Sequence, residues 1–149
     1  MERLRKFLRL TTFERRLFIK VFLLLEFVKL GLWLLPFRTL LRLLSRVSKG
    51  PKKPRSTDRP SPEEIARFVE VASRYSPGIK TCLTQALAAQ VLLTRHDYPA
   101  FVYLGVLRRK QEEFQAHAWV ESEGRIVVGG GDLERYAPLG ILKQERLTR

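Results

Sequence analysis

Cysteine and histidine are scarce in this chain. Its 149 residues hold one cysteine, Cys82, and two histidines, His96 and His117. A single thiol excludes an intramolecular disulfide framework and any zinc site built on several cysteines. It suits a reducing compartment, and a cytoplasmic location is expected. Paired histidine ligands are missing, and Gly129-Gly130-Gly131 lacks the Lys-Ser/Thr of a phosphate-binding loop. No metal, nucleotide or other cofactor is therefore expected. A long apolar run is missing too. A transmembrane helix needs roughly 20 mostly apolar residues. The best window here, Val21 to Leu35, holds Glu26 and Lys29 and stops at Pro36. No small-x-small cleavage site follows it, so a secretory signal fits poorly.

Acidic residues are scarce in one part only. Residues 1–60 hold 16 lysines and arginines against 4 acids, a net +12. Residues 61–149 hold 12 against 11, a net +1. Such asymmetry points to a membrane surface, nucleic acid or an acidic partner for the N-terminal part. Ser48 to Pro60 is rich in Pro, Lys, Arg and Ser and reads as a linker. No aromatic residues interleave with its charges, so nucleic-acid binding is not expected. The chain divides into an apolar, basic helical region over 1–47, a linker over 48–60 and a compact domain over 61–149.

The N-terminal helix is apolar nearly all round, because Lys20, Glu26 and Lys29 share no narrow face. Glu26 and Lys29, three apart, are placed to pair. Three readings stand: helices packed within the protein, contact of residues 1–47 with a membrane surface through flanking basic residues, and a true span. The second would put the protein peripherally on the inner face of the membrane.

In the compact part, Ser61-Pro62-Glu63-Glu64 is a helix start with a capping box and a proline at the first position. Ile65, Phe68, Val69 and Ala72 form its apolar stripe. A second helix runs from Thr81 to about Thr94, with few polar positions, and should be central. Strands follow at Phe101–Leu107, Phe114–Glu121 and Arg125–Val128, with Ser122-Glu123-Gly124 as a three-residue loop. Two helices and then an antiparallel meander make an α+β fold. In that register His117 faces position 129, and His117 and Trp119 share a face.

Cys82 therefore opens a helix and His117 sits on a following strand. A helix N-terminus favours the reactive thiolate, and its free N–H groups can bind an oxyanion. An imidazole in reach can take the thiol proton and give it to a leaving amine. Against this, a lone cysteine on an apolar helix is commonly a small core residue. Trp119 is expected in the core or as pocket wall, and as pocket wall it would contact substrate. Gly129 has no side chain to orient the histidine, and Glu121 lies two pairs along. Asp132, beyond three glycines that permit a tight turn, is the expected third group.

These residues carry a resemblance. Cys82-Leu83-Thr84-Gln85-Ala86-Leu87, Leu104-Gly105-Val106 and Ala116-His117-Ala118-Trp119-Val120-Glu121 followed by Gly124 resemble the lasso-peptide B-protein family. Leu34-Leu35-Pro36-Phe37 and the stretch Gly130 to Leu139 are similar to it as well. That family consists of transglutaminase-like cysteine proteases that remove the leader from a lasso-peptide precursor. The resemblance implies a transglutaminase/papain-like core, with the Cys82 helix packed on an antiparallel sheet bearing His117. It implies Cys82 as nucleophile and His117 as general base and acid. Some members carry Asp where this chain has Gly129, so either Asp132 substitutes or a dyad works with backbone and water. At this length a leader-recognition module has no room, so a separate leader-recognition protein is expected, together with an ATP-dependent lasso cyclase and the precursor peptide as substrate. Two other readings remain: acyl transfer on the same fold, and a non-catalytic membrane-surface adaptor that binds peptide.

Overall fold

The computed structural model describes residues 2–50, 59–78, 81–107, 116–131, 133 and 136–142. Among them lie five helices, α1 (Glu2–Leu8), α2 (Thr12–Leu34), α3 (Phe37–Ser48), α4 (Pro62–Tyr75) and α5 (Cys82–Arg95), and four strands. The strands are β1 (Phe101–Leu107), β2 (Ala116–Ser122), β3 (Arg125–Val128) and β4 (Tyr136–Leu142). They form one antiparallel sheet in the order β3-β2-β1-β4. The arrangement is α+β.

Local chemistry sets the helix ends. Thr11 and Glu14 form a reciprocal capping box at the start of α2, and Ser61 and Glu64 form the expected one at α4. Pro36 cannot continue α2, and α3 begins directly after it. Thr81 caps α5 by accepting a hydrogen bond from the Thr84 N–H at 3.1 Å.

α5 is central, as its composition demands: Ala86 through Leu93 are all buried. On one side it meets Ile65, Phe68 and Val69 of α4 and Leu17, Val21 and Leu25 of α2. On the other it meets Ala118 and Val120 of β2. Leu40 and Leu44 of α3 pack on Leu87, Val91 and Val28 in a second cluster. The apolar N-terminal helices thus share the core of residues 61–142. No helix among the described residues is long and apolar enough to cross a membrane. Glu26 and Lys29 pair at 3.0 Å, and both bond to Ser76 at the end of α4. Burial works to raise the Glu26 carboxyl, but hydrogen bonds from Ser76 and Lys29 and the lysine charge together hold it below the ordinary carboxylate range.

Two features of the sheet differ from the sequence reading. β4 was not anticipated, because Pro138 and Gly140 argue against a strand interior. It is an edge strand paired only with β1, where a missing N–H is tolerated. The β2–β3 loop holds two residues rather than three. Ser122 pairs with Arg125, and Glu123 (φ 52°) and Gly124 (φ 76°) both take the left-handed backbone of a type I′ turn. A bulge at Val127 then adds a further step, so Val120 pairs with Val128. Gly129 consequently lies beside Ala118 and Trp119, two residues along from the expected place opposite His117.

Candidate active site

Cys82 is the first residue of α5 and is half-buried. The Thr81 side chain takes the Thr84 N–H. The N–H groups of Cys82 and Leu83, within the first turn, have no acceptor inside the helix. They are the donors an oxyanion at this thiol would meet. The Sγ lies 4.0 Å from the carbonyl oxygen of Ala116, the residue before His117. The helix start and the histidine strand are therefore in contact, as expected.

Alternation along β2 sends Ala118 and Val120 into the helical core and His117 with Trp119 to the other face. There His117 sits in an aromatic wall. Its ring centroid is 6.2 Å from Trp119 and 5.0 Å from Tyr136. Trp119 stacks on Tyr103 at 5.8 Å. At 8% exposure, Trp119 braces the histidine from within rather than lining the open groove. The wall depends on Gly105, which pairs with His117 across the sheet. A Cβ there would stand 2.7 Å from Trp119 Cζ3 and 3.1 Å from Tyr136 Cβ. A glycine inside an apolar strand was the available sequence signal for this close approach. Burial, and a hydrogen bond to the nearby Glu121 carboxylate, raise the Tyr103 hydroxyl above its ordinary value.

The third group is where the structure departs most from expectation. His117 Nε2 lies 2.8 Å from the carbonyl oxygen of Gly129. A carbonyl oxygen has no proton to give, so Nε2 donates. Neutral His117 is then the Nε2–H tautomer, and Nδ1 keeps its lone pair. Gly129, read from sequence as unable to orient the histidine, does so through its backbone. Its φ of +76° and the 2.6 Å that would separate a Cβ from the Ala118 oxygen leave no room for a side chain. Asp132 lies outside the described residues.

An open groove of about 880 Å³ runs beside this histidine. His117, Gln85 and Gly129 to Gly131 line one end. Gln85 is one turn on from Cys82, on the same side of α5. Along its length the groove is bounded by the exposed face of α4 and by β3, the sheet edge. Glu70 pairs with Arg74 at 2.7 Å and Glu63 meets Arg125 at 4.0 Å. Arg67, between them, lies over the Phe68 ring. Cys82 does not line the groove, and no hydrogen bond joins its thiol to the His117 ring. No cluster of metal-ligating side chains occurs among the described residues.

A family model described as Transglutaminase-like superfamily matches residues 31–140, well over half of the chain. No curated protein and no solved structure matches it.

Proposed function

The chain belongs to the transglutaminase-like superfamily, and on that footing we propose that it is a cysteine peptidase that cuts the leader from a lasso-peptide precursor. The observation that carries the catalytic reading is the Nε2–Gly129 hydrogen bond. It makes one ring nitrogen the donor and leaves Nδ1 with a free lone pair, as this reading asks of the base, on a strand whose neighbouring residue lies against the Cys82 thiol. Catalytic hydrogen bonds are often long in a resting enzyme and tighten when substrate binds. The motif resemblance around Cys82, Leu104 to Val106 and Ala116 to Glu121 supports the precursor as substrate.

In this reading Nδ1 of His117 takes the Cys82 proton and the thiolate attacks the carbonyl carbon of the leader–core amide. The oxyanion is held by the N–H groups of Cys82 and Leu83. As the tetrahedral intermediate collapses, the C–N bond breaks and Nδ1–H protonates the departing amine of the core. Water, deprotonated by Nδ1, then attacks the thioester and frees the leader as a carboxylate. The Gly129 carbonyl orients the ring without adding a full negative charge, so it stabilises the imidazolium less than a carboxylate would. A separate leader-binding protein presents the precursor, and an ATP-dependent cyclase closes the freed core.

The test is mass spectrometry of a lasso precursor incubated with the protein and its leader-binding partner. Cleavage at one leader–core junction, lost in Cys82→Ala, is expected. A folded wild type that leaves the precursor intact, or a Cys82→Ala variant that still cuts it, rejects the reading.

A further inference from the structure

α2 presents a second apolar face that the core does not use. Ile19, Leu23, Phe27, Leu30, Trp33 and Leu34 are 44–82% exposed. All but Trp33 recur at three- and four-residue steps and so form one stripe, with Trp33 on its flank. From Ile19 to Leu34 the stripe is about 22 Å long at 1.5 Å per residue. Scattered exposed apolar residues are ordinary, but a contiguous stripe of this size marks a contact surface.

What covers it can be argued from charge. Between Lys20 and Arg38 the only charged residues are Glu26 and Lys29. Those two are consumed by each other and by Ser76 and Pro77 of the same chain. Glu26 falls on the stripe's own face by the same steps but is held in that pair, so between Lys20 and Arg38 the stripe carries no unpaired charge. Around it, Arg16 on α2 and Arg38, Arg42 and Arg46 on α3 are exposed. Residues 1–60 carry a net +12. A second copy of the chain would set this positive field against itself. A surface that is apolar beneath and anionic on top matches both features, as it does for helices that lie in the membrane interface.

We propose that the outer face of α2 seats the protein on bilayers that contain anionic phospholipid. The helix lies flat, its inner face remains in the protein core, and the exposed arginines meet the headgroups. The contact uses neither Cys82 nor His117, so it stands or falls apart from the peptidase reading.

The test is sedimentation of the full chain with vesicles of phosphatidylcholine, with or without phosphatidylglycerol. Binding to the phosphatidylglycerol vesicles, weakened by salt, is expected. Trp33 should shift its fluorescence to the blue, since Trp119 is already buried. The double variant Leu23→Glu/Leu30→Glu should lose about tenfold or more of the vesicle affinity. Its circular dichroism and melting should match wild type, because both leucines are exposed. Three results would overturn the proposal. One is a folded wild type that stays off phosphatidylglycerol vesicles. Another is a folded double variant that binds them equally well. The last is a dimer, seen by ultracentrifugation without lipid and dispersed by the double variant, which would assign the face to a second copy.

Discussion

Gly129→Ala probes the link between backbone geometry and the histidine most directly. The native φ of +76° is left-handed, which costs an alanine roughly 1–2 kcal/mol. The added Cβ would stand 2.6 Å from the Ala118 oxygen, and a backbone oxygen cannot swing aside as a flexible side chain can. Relieving that overlap adds about 1–3 kcal/mol. A total of about 2–5 kcal/mol corresponds to a fall in Tm of about 6–15 °C for a chain of this size. Gly124→Ala is the control. It has the same φ of +76° but nothing within 4 Å of its Cβ, so only the conformational part should appear. Relaxation at residue 129 also moves the carbonyl that His117 Nε2 donates to. One neutral hydrogen bond is worth about 0.5–1.5 kcal/mol, so kcat/KM for precursor cleavage should fall about twofold to tenfold. Nitrogen-15 NMR of the imidazole should show the Nε2–H tautomer in wild type and a mixture in Gly129→Ala. Equal melting of the two alanine variants, with an unchanged His117 resonance, would refute both the steric argument and the assignment of the carbonyl as orienter.

Cys82→Ala and His117→Ala should each lower precursor cleavage by about 10³-fold or more while leaving the far-ultraviolet circular dichroism unchanged. Gly105→Ala places a methyl against Trp119 and Tyr136, and should cost about 1–3 kcal/mol in denaturant unfolding and lower kcat rather than raise KM. The Glu26 carboxyl is held below its unfolded value, so its contribution is present above the ordinary carboxylate pKa and lost as pH falls through the lower folded value. Glu26→Gln should therefore reduce stability at neutral pH by a few tenths of a kcal/mol for this partly exposed pair, and flatten that acid-side step in a urea titration across pH.

Much of the fold was legible because it follows from short-range rules. The Ser61–Glu64 box, the run of small and apolar residues from Ala86 to Leu93, and the β-branched strand at Arg125–Val128 each carry their own signal. The packing of α2 is different. Its sequence is apolar on both faces, so periodicity does not say which side meets the core. Only the contacts with Ile65, Phe68 and Ala72 choose Leu17, Val21 and Leu25. β4 was illegible for a similar reason. Pro138 and Gly140 break the local pattern, and its place beside β1 is a tertiary fact.

The site divides the same way. Cys82 and His117 stood out because thiol and imidazole are side chains able to do such chemistry, and the contact of α5 with β2 follows from where the core lies. The orienting group did not stand out, because a search for acids finds Asp132 and Glu121 and passes over a carbonyl. Its availability turns on two backbone events, the two-residue turn at Glu123-Gly124 and the bulge at Val127. Each shifts the partner of His117 by one residue, and together they bring Gly129 next to Trp119 with its oxygen aimed at Nε2. Glycine at 129 supplies the backbone that makes this bond, since its φ and the Ala118 oxygen exclude a Cβ. An aspartate introduced at 129 would thus displace the carbonyl before it could replace it. An acid at that position should therefore lower activity in this chain, not raise it, unless the bulge at Val127 is removed as well.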